Sequence, residues 1–146
     1  MSSKEYTVIV VGAGHAGVEA ALASARMGVQ TLLLTNNLDR IAYMSCNPSI
    51  GGLGKGHIVK EIDALGGIMG WAADRNCIQF KRLNSKKGPA VRGSRAQGDK
   101  QKYSSFVSTF VSNQENLDVV LGEVRALVLN GDCAPGVRLV DGFEIE

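Results

Sequence analysis

Residues 6–35 read YTVIVVGAGHAGVEAALASARMGVQTLLLT, and the reading of this stretch decides the fold. Thr7 to Val11 is a short β-branched apolar run, the pattern of a buried parallel strand. Gly12-Ala13-Gly14-His15-Ala16-Gly17 follows as G-x-G-x-x-G. An Ala-rich segment then reads as helix to Met27, Gly28 stops it, and Gln30 to Leu34 reads as the next strand. Glycines at the strand-to-helix turn of a βαβ unit separate a dinucleotide site from a chance match. Gly12 allows the tight turn, Gly14 lets a pyrophosphate approach the backbone, and Gly17 lets the helix lie close on the strand. Amides at the helix start, at the positive end of its dipole, suit phosphate. Ala21 keeps that helix face small. The plainer alternative is an ordinary tight turn in an α/β protein.

A dinucleotide fold commonly places an acid roughly 20 residues further on, at the end of the second strand, to hold a ribose. Here that strand runs out into Thr35-Asn36-Asn37, and the first acid is Asp39. Neutral groups must serve the ribose, or the acid is dispensable. The pocket's chemistry alone does not choose between FAD and NAD.

At 146 residues, 45% hydrophobic and 21% charged, the composition is that of one soluble globular domain. No apolar run approaches the ~20 residues of a membrane span. Met-Ser-Ser-Lys-Glu leads directly to the first strand, with no secretory signal. Cys46, Cys77 and Cys133 form an odd set without C-x-x-C, so neither a disulfide framework nor a metal site is expected, and a reducing cytoplasm fits best. Charge is uneven. Lys81, Arg82, Lys86, Lys87, Arg92, Arg95, Lys100 and Lys102 face a single acid, Asp99, across their segment, while the whole chain carries only +2. Such a segment suits an anionic partner, phosphate or nucleic acid, or is simply a solvated face.

Between these regions, Cys46-Asn47-Pro48-Ser49-Ile50-Gly51-Gly52-Leu53-Gly54-Lys55-Gly56 reads as a glycine-laced loop able to wrap a cofactor. A helix follows near His57, with Ile58, Ile62 and Leu65 at i, i+4, i+7 and Gly66-Gly67 as its stop. Cys46 is the candidate nucleophile, since a nearby helix start or cation such as Lys55 or His57 would favour its thiolate. The alternative is a buried structural thiol, the role expected of Cys77 and Cys133. Ile78 to Leu83 and Ala90-Val91 suggest two short strands. Tyr103, Phe106, Val107, Phe110 and Val111 form the apolar stripe of a core helix. Asp118 to Leu129, Gly136 to Val140 and Phe143 to Glu146 read as three strands joined by Asn130-Gly131-Asp132 and Asp141-Gly142 turns. The open strand edge at the end suggests the front portion of something longer.

GAGHAG, MSCNPSIGGLGKGHIVKEIDALGG and QFKRLNSKKGPAVRGSRAQGDK together resemble the glucose-inhibited division protein A family, the tRNA uridine 5-carboxymethylaminomethyl modification enzymes. The resemblance runs over essentially the whole chain, and CNPSIGG and GPAVRGSRAQ are far more specific than the glycine turn. It implies an α/β fold: a Rossmann-like FAD-binding domain of the glutathione-reductase type with a C-terminal β-meander, incomplete here. Residues 1–146 would be the N-terminal part of that domain, the later domains being absent. It further implies FAD on Gly12, Ala13, Gly14, His15, Ala16 and Gly17, with the Val124 backbone against the adenine. Cys46 matches one of two cysteines needed for activity. The family uses NADH and methylene-tetrahydrofolate, works with a GTPase partner, acts on tRNA as a homodimer, and is cytoplasmic. On this reading the basic segment becomes a tRNA contact, with Arg92 and Arg95 alternatively at the FAD phosphates or the flavin pocket. The 146 residues alone are expected to be inactive. Rival readings are a folate-dependent tRNA uridine methyltransferase, a small-molecule oxidoreductase on the same fold, or a non-catalytic dinucleotide-binding module.

Overall fold

The computed structural model describes residues 5–45 and 47–146. The chain begins with β1 (Val8–Val11), α1 (His15–Arg26) and β2 (Thr31–Thr35). Next come β3 (Ser49–Gly51), α2 (Lys55–Ala64), α3 (Ile68–Asn76), β4 (Cys77–Leu83) and β5 (Gly93–Gly98). The last elements are α4 (Lys100–Ser112), β6 (Leu117–Leu121), β7 (Val124–Asn130), β8 (Cys133–Leu139) and β9 (Glu144–Ile145). The contacts divide into two compact units, one made of residues up to Ile41 with Phe110–Glu146, the other of Ala42–Thr109.

The first unit is built on a parallel sheet, β1-β2-β6. All five residues of β2 are buried, as a central strand covered on both faces requires. On one face lies α1, which buries Val18, Ala21, Leu22 and Ala25, an i, i+3, i+4, i+7 stripe. On the other, Leu32 and Leu34 pack with Val137 and Leu139 of the antiparallel meander β7-β8-β9. The amino ends are tied by Asn116, whose positive φ of 61° is tolerable for Asn. Its carbonyl accepts from the Thr31 N–H and its side-chain Oδ1 from Gln30 Nε2. Tyr6 donates its hydroxyl to Asp118 Oδ2 at 2.7 Å. Burial, then that hydrogen bond and the Asp118 charge, push the Tyr6 phenol up to about 12.

The expected single strand from Asp118 to Leu129 is two strands in two sheets. Gly122 breaks the run: its N–H donates to the Thr35 carbonyl, and a Cβ there would stand 3.2 Å from Leu139 Cδ1. Chain direction therefore changes at Gly122-Glu123, after β6 has completed the parallel sheet. Cys133 is exposed, not a buried thiol, because it opens β8 beside the Gly131-Asp132 turn; Cys77 is half-buried.

The second unit is an antiparallel sheet, β3-β5-β4, with α2 and α3. Ala90-Val91 is not a strand; with Pro89 it forms a 3₁₀ turn, as proline at the first helical position favours. The partner of β4 is instead β5, GSRAQG, a sequence with little strand propensity that pairs on both sides as the central strand. The glycine-laced loop contains β3, and α3 was not foreseen from the sequence. α2 forms where expected but buries none of its residues, and Ile58 and Leu65 of the anticipated stripe are exposed. The α4 stripe is as read, with Tyr103, Val107 and Val111 fully buried. Asp99, the lone acid of the basic segment, caps α4 by accepting from the Gln101 and Lys102 N–H groups at 3.1 Å each.

Candidate dinucleotide site

The turn between β1 and α1 gives each of its glycines a different environment. Gly12 has φ of 98°, and its N–H donates to the Leu34 carbonyl at 2.8 Å, which pins the turn to the end of β2. A Cβ on Gly17 would lie 1.8 Å from the Gly12 carbonyl oxygen, so only hydrogen fits where α1 crosses the strand end. Gly14, the residue preceding α1, has extended backbone and nothing within 4 Å of where a Cβ would stand. No side chain caps this helix start. The first amides of a helix have no intrahelical acceptor, and the space beside Gly14, which precedes them, is open. Those are the properties a pyrophosphate requires. The residues present therefore fit a dinucleotide at Gly12, Ala13, Gly14, His15, Ala16 and Gly17; His15 is half-buried, and Ala16 is exposed.

The carboxyl ends of β1, β2 and β6 lie side by side, where open α/β sheets bind ligands. At the end of β2, Thr35 Oγ1 donates to the Asn37 carbonyl, and Asn37 Oδ1 accepts from the Asp39 N–H at 2.9 Å. The position usually given to an acid is thus a neutral turn stabilised by its own side chains, with Asn36 exposed. Gly122 is tied to Thr35, and this brings Val124 to the same end of the sheet, its side chain packed against the Leu32, Leu34, Val137 and Leu139 cluster.

Cys46 lies outside the described residues. Lys55 donates its ammonium to the Ser49 carbonyl at 3.3 Å, and His57 is exposed in the first turn of α2. Near them the second unit has a pocket of about 160 Å³ between its helices and sheet, where Val59, Asp63 and Asp74 face Phe80 and Ala96. Nothing in the sequence pairs Asp63 with Asp74, because they stand on different helices. Among the described residues, no group of three or more His, Cys, Asp or Glu could hold a metal ion, and no helix is long and apolar enough to cross a membrane.

Known proteins resemble this one closely. Residues 7–146 match the family described as glucose inhibited division protein A. The chain is 63% identical over 145 residues to the tRNA uridine 5-carboxymethylaminomethyl modification enzyme MnmG of Bdellovibrio bacteriovorus, covering 99% of this chain and 23% of that protein. Aquifex aeolicus GidA in its form II crystal superposes with a TM-score of 0.95 at 49% identity, over 100% of this chain and 24% of that one. PqsL, a probable FAD-dependent monooxygenase from Pseudomonas aeruginosa, shares the fold alone, with a TM-score of 0.63 at 13% identity over 98% of this chain and 40% of that one. This chain spans about a quarter of the length of its high-identity relatives. An α/β fold with a glycine-turned βαβ unit, and identity sustained from the first strand to the last, place it in the glucose inhibited division protein A family.

Proposed function

We propose that the whole protein is a cytoplasmic FAD-dependent enzyme that installs a (carboxymethyl)aminomethyl group on C5 of the tRNA wobble uridine. The observation that carries this reading is the 63% identity, across 99% of the chain, to a relative that bears that activity in its name. In this reading residues 1–146 are the N-terminal part of the FAD-binding domain. The amides of Gly12 to Gly17 hold the FAD pyrophosphate, the Val124 backbone lies against the adenine, and the neutral Thr35-Asn36-Asn37 turn meets the ribose. FAD, when bound, supplies two-electron redox chemistry. Cys46 supplies a thiolate that either attacks the uracil ring, making C5 nucleophilic, or handles the one-carbon unit. That unit comes from methylene-tetrahydrofolate, NADH reduces the flavin, and a homodimer works with a GTPase partner; these functions draw largely on residues outside 1–146.

The test uses the full-length protein in a strain lacking its own copy. The wild type is expected to purify with flavin and to restore the modified wobble uridine in tRNA digests analysed by mass. Cys46→Ser should keep the flavin and lose the modification. A colourless protein that retains no adenine-containing coenzyme would overturn the reading. A methyl group at another uridine would move it to the folate-dependent methyltransferase relative.

A further inference from the structure

The eight cations of the basic segment are not equivalent. Three are committed within the chain: Lys100 stands 4.0 Å over the Tyr43 ring, Lys102 lies 3.9 Å from Asp99, and Arg92 donates through Nε to the Lys87 carbonyl at 2.8 Å. Two others are forced together by the sheet. The register of β3-β5-β4 sets Lys81 directly opposite Arg95, with Gly51 completing the row, and sets Gln79 opposite Gln97, next to Ser49. Side chains alternate across a sheet, so this polar face lies opposite the one carrying Ile50, Ala96 and Phe80. Like charges directly opposed across a ladder destabilise it. Among the described residues, neither Lys81 nor Arg95 makes an ion pair that would relieve the repulsion.

The surroundings are shaped to receive an anion. Gln79, Lys81, Arg95 and Gln97 line a cleft of about 180 Å³. Arg95 Nη2 donates to Gln97 Oε1 at 3.3 Å, which holds the guanidinium in place and leaves the Gln97 amide N–H₂ for another acceptor. Guanidinium, ammonium and amide donors around one cleft match the oxygens of a phosphate. Lys81 also lines a second, wider cleft with Arg82, Lys86 and Lys87. A series of cations leading from one cleft to the next suits a polymer with repeated phosphates better than a single diphosphate.

We infer that Lys81 and Arg95, with Gln79 and Gln97, form a phosphate-binding site that takes a backbone phosphate of the tRNA substrate. This rests on the proposed function. RNA phosphate supplies the negative charge that the opposed cations lack.

The experiment measures binding of unfractionated tRNA to the full-length, flavin-loaded protein between about 50 and 200 mM salt. Lys81→Gln with Arg95→Gln should weaken binding about tenfold or more and make the slope of log K against log salt shallower by about one, as for loss of one phosphate contact. Flavin content should be unchanged. Lys102→Gln should leave both affinity and slope where they were. Lys81→Gln alone changes an exposed strand residue, should shift the slope by about one, and should melt at or above the wild-type temperature because it removes a repulsion. It keeps the test open if the double variant does not fold. An unchanged slope in Lys81→Gln, or a lowered melting temperature, overturns the site. Loss of flavin with unchanged tRNA binding assigns the cleft to a cofactor phosphate and overturns it too. Wild-type protein that binds no tRNA sinks the proposed function itself.

Discussion

Two glycine-rich strand-to-helix turns, one in each unit, look alike in sequence and do different work. In the first, β1 passes through Gly12 and Gly14 into a helix that buries four residues. In the second, β3 passes through Gly51, Gly52 and Gly54 into a helix that buries none. Gly51 spends its missing side chain on its own sheet: a Cβ there would sit 2.2 Å from the Ser94 carbonyl, while the Gly52 N–H donates to that same oxygen at 2.8 Å. Gly17 spends its own on docking α1, while a Cβ on Gly14 would meet nothing within 4 Å. Glycine content thus says that backbone comes close to something. Only the neighbours say whether that something is the protein or a ligand.

The sharpest break in the comparison is in the helices. Leu22→Ala on α1 removes a fully buried side chain and should cost about 2–5 kcal/mol in urea denaturation. Ile58→Ala on α2 removes one that is 57% exposed and should stay within about 0.5 kcal/mol. Equal losses would mean that α2 is docked in solution and that the contrast drawn between the two turns is wrong.

The glycines give the next largest effect. Gly17→Ala must push α1 off the turn and should cost about 1–3 kcal/mol, as overpacking does; Gly51→Ala, which also forces a side chain to φ of 98°, should cost at least as much in the other unit. Gly14→Ala finds open space and an extended backbone, so stability should change by less than about 0.5 kcal/mol, while flavin retention by the full-length protein falls. A Gly14→Ala protein that keeps its flavin as tightly as the wild type would remove Gly14 from the binding surface.

What the sequence made legible follows the same division. The first βαβ unit could be read because the β-branched apolar run, the glycine spacing and the Ala-rich helix that follows agree with one another locally. The meander could be read from its turns. The failures came where neighbours decide. The break at Gly122 is set by a hydrogen bond to Thr35 that no local pattern announces. β5 is a strand because β3 and β4 flank it, although Gly-Ser-Arg-Ala-Gln-Gly carries almost none of the usual strand residues. Ile58 and Leu65 had the right period for burial, but period fixes which residues share a helix face and not whether that face is covered. The polar row of Lys81 and Arg95 was visible only as charge, since the register that opposes them depends on that same unforeseen strand.

The smallest expected effect concerns the end of the first unit opposite its glycine turn. Burial chiefly, and then Asp118, push the Tyr6 phenol from its ordinary 10.0 up to about 12. The folded state therefore holds this proton more tightly than the unfolded state does. Its stabilising share is complete below pH about 10 and is lost as pH climbs from there through about 12. Tyr6→Phe should lack the phenolate absorbance increment expected near pH 12 in the folded wild type. Its stability should also fall less steeply between pH about 10 and about 12. Should the increment removed by the substitution instead appear near pH 10, the bond from Tyr6 to Asp118 is not held in solution.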